Sequence, residues 1–174
     1  MEILYSIDVE KDIIPDLMYV ESKVYATEFC GKYESILQRY KKNKDSVILV
    51  YDNKKIVGYL CMFPISDKLY LEINNSDKLV DDDICSEDVL PYTTRNKLYL
   101  ISVAILPQYQ DTDTVILLCN KFQEFISNKE MKNQKIESIM ATAISEDGTR
   151  FLKRLGFKEV KHLINDYKLM RLDL

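Results

Sequence analysis

Tryptophan is absent from this sequence, histidine occurs once, and the four cysteines, at positions 30, 61, 85 and 119, lie far apart. There is no Cys-x-x-Cys pair, and His162 alone cannot complete a zinc set, so we expect no metal site. Cys61 and Cys119 fall within apolar runs, where a thiol behaves as a small hydrophobic group. We therefore interpret the four cysteines as inert reduced thiols.

A surplus of positive charge is also lacking, because 24 Lys and Arg face 28 Asp and Glu, for a net charge of -4. Nucleic-acid binding requires a basic face, so we expect no nucleic-acid partner. The sequence shows neither a signal-peptide pattern nor an apolar run of membrane length, and it has no repeats. We therefore expect a cytoplasmic protein with no membrane partner.

What is present is ordinary globular composition, with 47% hydrophobic and 30% charged residues. A length of 174 residues suits one domain with a real core and is short for two, so we predict a single domain over residues 1 to 174. Residues 116 to 174 hold 11 Lys and Arg against 8 Asp and Glu, whereas residues 1 to 115 hold 13 against 20. The C-terminal part is therefore mildly basic.

Residues 98 to 106, LYLISVAIL, are a nearly unbroken apolar run. A strand with so little alternation is covered on both faces, which predicts a central place in a sheet. Residues 107 to 114 form a polar break, and helical spacing of apolar residues follows at Val115, Leu118, Phe122 and Phe125. A loop between a central strand and a helix presents backbone N–H groups and the positive helix end, an arrangement that binds phosphates.

The residues before this stretch predict a strand, two helices and a hairpin, in that order. Residues 2 to 8 predict a short strand, and Asp12 is a candidate cap for a first helix through residue 24. Tyr33 to Tyr40 predict a second helix, which ends in a run rich in Lys and Arg. Residues 46 to 51 and 56 to 63 are rich in strand formers, and the turn Asp52-Asn53-Lys54-Lys55 joins them as a hairpin.

Residues 66 to 96 follow neither the helical nor the strand period for long. Among their carboxylates are Asp77, Asp81, Asp82, Asp83, Glu87 and Asp88. Such a stretch inside a compact domain is usually functional or mobile, and we predict an irregular or partly helical inserted flap. Two interpretations stay open: a solvated acidic loop, and a lid whose carboxylates attract a cationic or amine acceptor.

The last third of the sequence predicts a strand, a helix and a further strand. Residues 135 to 144 form the first of these, and a helix begins near Ser145 with Leu152 on its buried face. Gly156 is placed to end that helix in a left-handed conformation, after which Phe157 packs back. Residues 166 to 173 predict the last strand. The whole pattern predicts a mixed α/β (α+β) fold.

Two segments resemble the GNAT superfamily of N-acyltransferases. The strand, Pro107-Gln108-Tyr109-Gln110, the polar loop and the helix are similar to that family's acyl-CoA-binding segment, whose loop reads Gln/Arg-x-x-Gly-x-Gly/Ala. Residues 145 to 157, SEDGTRFLKRLGF, are similar to its last core helix, which closes with Leu-Gly-Phe. The resemblance implies a mixed central sheet of about six to seven strands with helices on both faces. It also implies that strands 98 to 106 and 135 to 144 diverge at their carboxyl ends, leaving a slot for a pantetheine arm.

The resemblance further implies a site for an acyl donor, with backbone N–H groups of the central strand polarising the thioester and the loop holding the pyrophosphate. The implied residues are Val103, Ala104, Ile105, Gln110, Asp111, Thr112, Asp113, Thr114, Val115 and Ser145. Gln110 fits the first loop position, but the glycine positions fall on Asp113 and Val115. Asp111 and Asp113 oppose a phosphate unless they point away, and Thr112 and Thr114 could donate hydroxyl hydrogen bonds. Alternatively, Asp111 or Asp113 is only the cap of the helix.

The usual catalytic side chains are not found where the resemblance places them. Many members of the family have a carboxylate base on or near the central strand, and residues 98 to 106 contain none. The usual tyrosine acid falls on Leu152. Tyr92, Tyr99 and Tyr167 are candidates to approach the acceptor, although packing is a tyrosine's ordinary role. The sequence therefore assigns no catalytic residue.

Three functions stay open under this resemblance. The first is transfer of an acetyl or other acyl group from acetyl-CoA or another acyl-CoA, as co-substrate, to a small-molecule or peptide amine. The second takes the acyl group from an acyl carrier protein, which a basic surface with Lys121, Lys129, Lys132 and Lys135 would suit. The third is a non-catalytic binding or interaction domain that has kept the fold and lost the cofactor.

Overall fold

A computed structural model describes the backbone of all 174 residues and every side chain except that of Asp82. Packing divides the chain into two compact units. The first comprises Met1–Cys61 and Ser102–Phe125, and the second comprises Met62–Ile101 and Ile126–Leu174. The single domain expected over residues 1 to 174 stays a prediction.

The first unit opens with the elements that the sequence predicts. They are β1 (Glu2–Tyr5), α1 (Ile14–Val24), α2 (Tyr33–Lys42), β2 (Val47–Asp52) and the first part of β3 (Lys55–Ile65). The N-cap position of α1 is Ile13, so the prediction that Asp12 caps this helix is wrong. Asp12 instead lies just before the cap and accepts a hydrogen bond from the N–H of Ile14 at 3.0 Å. Asn53 and Lys54 have φ of 47° and 65°, the left-handed pair that a two-residue hairpin turn requires.

The rest of the first unit is the end of β4 (Arg95–Ile105), a single 3-10 turn (Pro107–Tyr109) and most of α4 (Asp113–Met131). The predicted apolar face of α4 is confirmed, since Leu118 and Phe122 are completely buried. A methyl group added at Gly58 would come within 3.1 Å of the Ala104 carbonyl oxygen. Glycine therefore allows β3 to approach the end of β4 closely.

The second unit holds the predicted C-terminal elements and two that the sequence pattern does not show. Its elements are α3 (Asp67–Asn75), β5 (Lys135–Ala143), α5 (Glu146–Arg154), β6 (Lys158–His162) and β7 (Lys168–Asp173). Gly156 has φ of 95°, and the Phe157 N–H donates to the Leu152 carbonyl at 3.0 Å. The predicted left-handed end of α5, with Phe157 packed back and buried, is therefore confirmed.

The seven strands form one mixed sheet in the order β1-β2-β3-β4-β5-β7-β6, which confirms both the predicted fold class and the central position of β4. Strands β4 and β5 are parallel, and their pairing runs from Arg95 opposite Lys135 to Leu100 opposite Ala141. Beyond that point β4 continues to Ile105 without a further partner on β5 in the described backbone. The prediction that these strands do not pair along their whole length is confirmed.

The acidic stretch from residue 66 to 96 is partly helical, with α3 followed by 3-10 turns at Asp81–Asp83 and Ser86–Asp88. Several of its carboxylates have structural partners within the second unit. Asp81 accepts the hydroxyl proton of Tyr99, Asp88 accepts the Cys85 N–H at 2.9 Å, and Asp77 pairs with Lys161. The side chain of Asp82 lies outside the described residues. The carboxylates of Asp77, Asp81 and Asp88 therefore stabilise local structure.

Candidate functional site

A cluster of four polar side chains lies against β4 in the first unit. We call it the α1–β4 cluster, and it consists of Glu21 on α1, Tyr25 just after α1, Tyr59 on β3 and Ser102 on β4. The Tyr59 hydroxyl donates to Glu21 Oε1 at 2.5 Å and lies 2.9 Å from Ser102 Oγ. The Tyr25 hydroxyl donates to the Val103 carbonyl at 2.5 Å. Four hydrogen-bonding side chains thus meet at the strand that the sequence places at the centre of the sheet.

The carboxylate of this cluster is buried because Glu21 stands on the apolar face of α1. It follows Leu17 by four residues and Ile14 by seven, and both of those residues are buried. Glu21 is only 7% exposed, and its Oε2 accepts the Gly31 N–H at 3.0 Å. In the described part of the chain no Lys or Arg forms an ion pair with it. Hydrogen bonds alone therefore compensate the burial of this carboxylate.

The two ends of the cluster differ in their access to solvent. Tyr59 is 1% exposed, and burial followed by the charge of Glu21 raises the pKa of its hydroxyl well above the usual range. Ser102 and Tyr25 are half-buried. The cluster therefore leads from a partly accessible hydroxyl at Ser102 to a carboxylate shielded from water.

The residues expected to polarise a thioester are on the last part of β4. Val103 is half-buried, whereas Ala104 and Ile105 are 1% and 6% exposed. Because pairing with β5 ends at Leu100, residues 101 to 105 have no β5 partner in the described backbone. Val103, Ala104 and Ile105 therefore lie on β4 beyond its last described pair with β5.

The expected phosphate loop uses much of its own hydrogen-bonding capacity. The N–H groups of Gln110 and Thr112 donate to the carbonyls of Pro107 and Tyr109 at 3.3 and 3.4 Å. The Gln110 side chain donates to the Ile105 carbonyl at 2.8 Å. Because these groups close successive turns, fewer N–H groups are left to meet an anion than in an open glycine loop.

The start of α4 settles which residue caps it. The helix begins at Asp113, and the Thr112 hydroxyl accepts the Thr114 N–H at 3.3 Å. The alternative that Asp111 or Asp113 is the cap is therefore wrong, because a threonine takes that role. Both aspartates are exposed, and a negative charge in the first turn also suits the helix dipole.

The two remaining loop positions have buried side chains. Thr114 is completely buried and its hydroxyl lies 3.0 Å from Met1 Sδ. Val115, at a glycine position of the family loop, is 8% exposed. The expected hydroxyl donation from Thr114 to a phosphate therefore conflicts with its burial. Thr112 is exposed, but its hydroxyl donates to the Tyr109 carbonyl at 2.8 Å.

Ser145 and Leu152 are on α5 in the second unit. The Ser145 hydroxyl accepts the Gly148 N–H at 3.0 Å, which makes it the N-cap of this helix. Leu152, at the position expected for a tyrosine acid, is 4% exposed and contributes to the core. Leu152 therefore cannot act as an acid, and the Ser145 hydroxyl oxygen serves the start of α5.

Of the candidate tyrosines, Tyr99 is the most deeply placed. It is completely buried, its hydroxyl donates to Asp81, and Thr142 Oγ1 lies 3.1 Å away. Tyr92 lies beneath Lys129, whose Nζ is 3.4 Å from the ring centroid, and the Tyr167 carbonyl accepts the Leu163 N–H. The contacts of Tyr99 and Tyr92 give their side chains packing roles, whereas the contact described for Tyr167 is made by its backbone.

The lysines considered for a carrier protein are not equally available. Lys129 is only 4% exposed, so counting it in a basic surface is wrong. Lys121 pairs with Glu124 at 2.8 Å and lies over the Tyr5 ring. Lys132 and Lys135 are exposed. The basic surface is therefore smaller than the sequence indicates.

All four cysteines are free thiols, and burial raises the pKa of the Cys61 thiol to about 12. A thiol with that pKa is almost fully protonated at neutral pH. Among the described residues, no group of His, Cys, Asp and Glu is arranged to hold a metal ion. The described helices include none with the length and apolarity needed to cross a bilayer.

No sequence motif marks Glu21, Tyr25, Tyr59 or Ser102 as a site residue. Two signals for them exist. Glu21 interrupts the apolar face of α1, where a carboxylate is unexpected. Ser102 is the one residue of LYLISVAIL that is neither apolar nor aromatic. A polar residue inside a run that predicts complete burial requires a buried partner.

Solved structures show which fold this arrangement belongs to. The GphF GNAT-like decarboxylase in complex with isobutyryl-CoA matches with a TM-score of 0.72 at 11% identity, covering 99% of both chains. The loading GNATL domain of CurA from Lyngbya majuscula matches at 0.70 and 16% identity, covering 99% of this chain and 96% of that one. The ribosomal-protein-S18-alanine N-acetyltransferase from Escherichia coli matches at 0.60 and 12% identity, covering 99% and 92%.

No protein-family model and no curated protein sequence matches the chain. The likeness to solved structures covers nearly the whole chain at low identity, so it establishes the fold and not the activity. The chain has a divergent GNAT-like fold.

Proposed function

We propose that this protein transfers an acyl group from acyl-CoA to an amine acceptor. The observation that carries the proposal is the end of β4, where pairing with β5 stops at Leu100 and the strand runs on to Ile105. Acyl transfer from a thioester requires N–H donors that stabilise the carbonyl oxygen as it gains charge. The position of Val103, Ala104 and Ile105 beyond the last β5 pair supports this role for them.

Two of the similar structures add support for the reactants. One is described as a complex with isobutyryl-CoA, and another as an alanine N-acetyltransferase. An acyl-CoA donor and an amine acceptor, either a small molecule or a peptide, are therefore the reactants proposed for this chain. The fold likeness supports the proposal, and the end of the β4–β5 pairing at Leu100 is the supporting observation in this chain.

The loop favours a second candidate donor. Exposed Asp111 and Asp113 oppose a pyrophosphate, and the loop's own turns use the N–H groups of Gln110 and Thr112. An acyl carrier protein presents its thioester on a pantetheine arm that lacks the nucleotide end of CoA. Acyl transfer from such a carrier therefore avoids the least favourable part of the proposed site.

Calorimetric titration tests these donors directly. The protein would be titrated with acetyl-CoA, with a longer acyl-CoA and with an acyl-loaded carrier protein, and thiol release would be followed after addition of amines. Binding of acyl-CoA with amine-dependent thiol release supports the first candidate, and binding of the loaded carrier alone supports the second. Binding without any thiol release would indicate a non-catalytic binding domain and contradict both.

Replacement of Asp113 tests whether the loop meets a phosphate. Asp113→Gly removes the charge and frees the backbone, and we expect acyl-CoA to bind more tightly by about 1 to 2 kcal/mol. Asp113→Asn is the matched control that removes the charge only. Because Thr112 is the cap, Asp113→Gly should lower the free energy of unfolding by at most about 1 kcal/mol. Unchanged affinity in both variants would show that no phosphate lies at this surface.

A further inference from the structure

We infer that Glu21 receives, through Tyr59 and Ser102, the proton that the amine acceptor must lose before it attacks the thioester. This inference rests on the proposed acyl transfer and assigns its missing base. An amine is protonated at neutral pH and becomes a nucleophile only after deprotonation. No carboxylate lies within residues 98 to 106, and the α1–β4 cluster connects that strand to one on α1.

The direction of the hydrogen bonds follows from counting protons. Each hydroxyl carries one proton. Tyr59 donates its proton to Glu21, so Ser102 must be the donor in the 2.9 Å contact between Ser102 and Tyr59. Tyr25 donates its proton to the Val103 carbonyl and lies 3.4 Å from Ser102 Oγ. The chain therefore runs from Ser102 to Tyr59 to Glu21.

This direction leaves the Ser102 oxygen able to accept a proton from outside the chain. Ser102 is half-buried, whereas Tyr59 and Glu21 are 1% and 7% exposed. Ser102 is also next to Val103, the first of the residues proposed to polarise the thioester. An amine placed to attack a carbonyl at Val103 would therefore be near the open end of the chain.

Glu21 is the acceptor at the inner end of this chain of hydrogen bonds, and its carboxylate is buried. Its carboxylate accepts two hydrogen bonds, from Tyr59 and from the Gly31 N–H. The charge of Glu21 raises the pKa of Tyr59, Cys30 and Cys61, whereas the charge of Arg39 lowers the pKa of Cys61. The buried carboxylate is therefore linked to Ser102 through the Tyr59 hydroxyl.

The proposed steps balance in protons and electrons. The ammonium gives one proton to Ser102 Oγ as the Ser102 proton moves to Tyr59 and the Tyr59 proton moves to Glu21 Oε1. The amine nitrogen then attacks the thioester carbonyl carbon, the C–N bond forms and the C–S bond breaks. The leaving thiolate takes the second proton from nitrogen, which yields an amide and free CoA thiol. Glu21 later returns its proton to solvent by the reverse route.

A purely structural role for Glu21 makes a different prediction. In that case the carboxylate only ties α1 to Tyr59 and to the Gly31 backbone, and its loss lowers stability without changing the pH dependence of catalysis. A relay removes a proton from the ammonium form of the acceptor, and the loss of this proton limits the reaction rate at low pH. The pH profile of kcat therefore separates the two roles.

The test compares Glu21→Gln, Tyr59→Phe and Ser102→Ala with the wild type. The probes are acetyl-CoA with spermidine and acetyl-CoA with a peptide that has a free N-terminal alanine, and thiol release is followed from about pH 6 to about pH 9. We expect kcat at neutral pH to fall roughly 100-fold in each variant, with an unchanged KM for acetyl-CoA. The variant rates should then rise with pH as the amine deprotonates by itself.

Tyr99→Phe is the matched control, because Tyr99 is also completely buried and also donates to a carboxylate, that of Asp81. It should lose comparable stability and keep the wild-type kcat and pH profile. An equal loss of kcat in Tyr99→Phe would assign the effect to stability and overturn the relay.

The outcomes also distinguish the relay from the proposed function. Wild-type protein that releases no thiol from acetyl-CoA with any amine would overturn acyl-CoA-dependent transfer, and the relay with it. Active wild type with normal kcat and an unchanged pH profile in Glu21→Gln and Tyr59→Phe would overturn the relay alone. Ser102→Ala with wild-type kcat would remove the proposed entry point of the proton.

Discussion

Each of the two compact units has a buried tyrosine whose hydroxyl donates a hydrogen bond to a carboxylate. Tyr59 donates to Glu21 in the first unit, and Tyr99 donates to Asp81 in the second. The two carboxylates differ in exposure, because Glu21 is 7% exposed and Asp81 is half-buried. Asp81 meets water directly, whereas protons reach Glu21 by way of Ser102. The hydrogen bond between Tyr99 and Asp81 therefore stabilises local structure, whereas the bond between Tyr59 and Glu21 also belongs to the proposed proton path.

Replacing each of the two carboxylates with alanine should give the largest difference in stability between the two networks. Glu21→Ala leaves the Tyr59 hydroxyl and the Gly31 N–H unpaired in the interior, and we expect a loss of about 3 kcal/mol in the free energy of unfolding. Asp81→Ala should cost about 1 kcal/mol, because Tyr99 keeps Thr142 nearby and water can enter. Urea denaturation of both variants measures the difference. Equal losses would show that the exposures of the two carboxylates are not what separates the networks.

High pH should affect the two tyrosines alike. Burial, followed by the charge of the neighbouring carboxylate, raises the pKa of both hydroxyls well above the usual range. A group whose folded pKa is raised contributes stability below its unfolded pKa, and that stability is lost as the pH rises further. Above about pH 10 each tyrosine should therefore lower the free energy of unfolding by about 1.4 kcal/mol per pH unit.

In Tyr59→Phe, and likewise in Tyr99→Phe, the free energy of unfolding should fall less steeply as the pH rises. The slope should decrease by the contribution of one tyrosine, about 1.4 kcal/mol per pH unit. Urea denaturation between about pH 9 and about pH 11 gives the slopes. Variants that lose stability as steeply as the wild type would show that the tyrosines ionise without unfolding.

Removing the Ser102 or the Thr142 hydroxyl, each of which contacts one of the two tyrosines, should have the smallest effect on stability. Ser102→Ala and Thr142→Val each remove one contact to a tyrosine that keeps its carboxylate partner, so we expect losses below about 1 kcal/mol. Thermal denaturation compares the two. A much larger loss in Ser102→Ala would mean that Ser102 is mainly a structural residue, which would weaken its assignment as the entry point of a proton path.

Much of the fold could be predicted because its elements carry clear apolar periods. The continuous run of β4, the helical spacing of α4 and the turn residues Asn53 and Lys54 correspond directly to the structure. Two elements lack such signals. Strand β6, Lys158–His162, is an edge strand with mostly exposed and charged residues, and α3 is nine residues long with only Tyr70 and Ile73 buried. Their formation depends on tertiary contacts rather than on local pattern.

The site was less predictable, because its residues come from separate elements. Glu21, Tyr59 and Ser102 are brought together by the packing of α1, β3 and β4, and no spacing along the chain shows that they meet. The loop illustrates the opposite case. Its position after a central strand was predicted, but the roles of Thr112 as cap and of Thr114 as a buried residue depend on side-chain placement.

Backbone NMR shows whether an acyl donor binds along the end of β4, as we propose. Acetyl-CoA, or an acyl-loaded carrier protein where acetyl-CoA does not bind, would be added to isotope-labelled protein while amide shifts are followed. Donor binding predicts saturable shifts at residues 101 to 105. Smaller shifts at residues 110 to 115 are expected if the phosphate end reaches the loop. A saturating donor that leaves residues 101 to 105 unperturbed, or the absence of saturable binding by either donor, would contradict the claim.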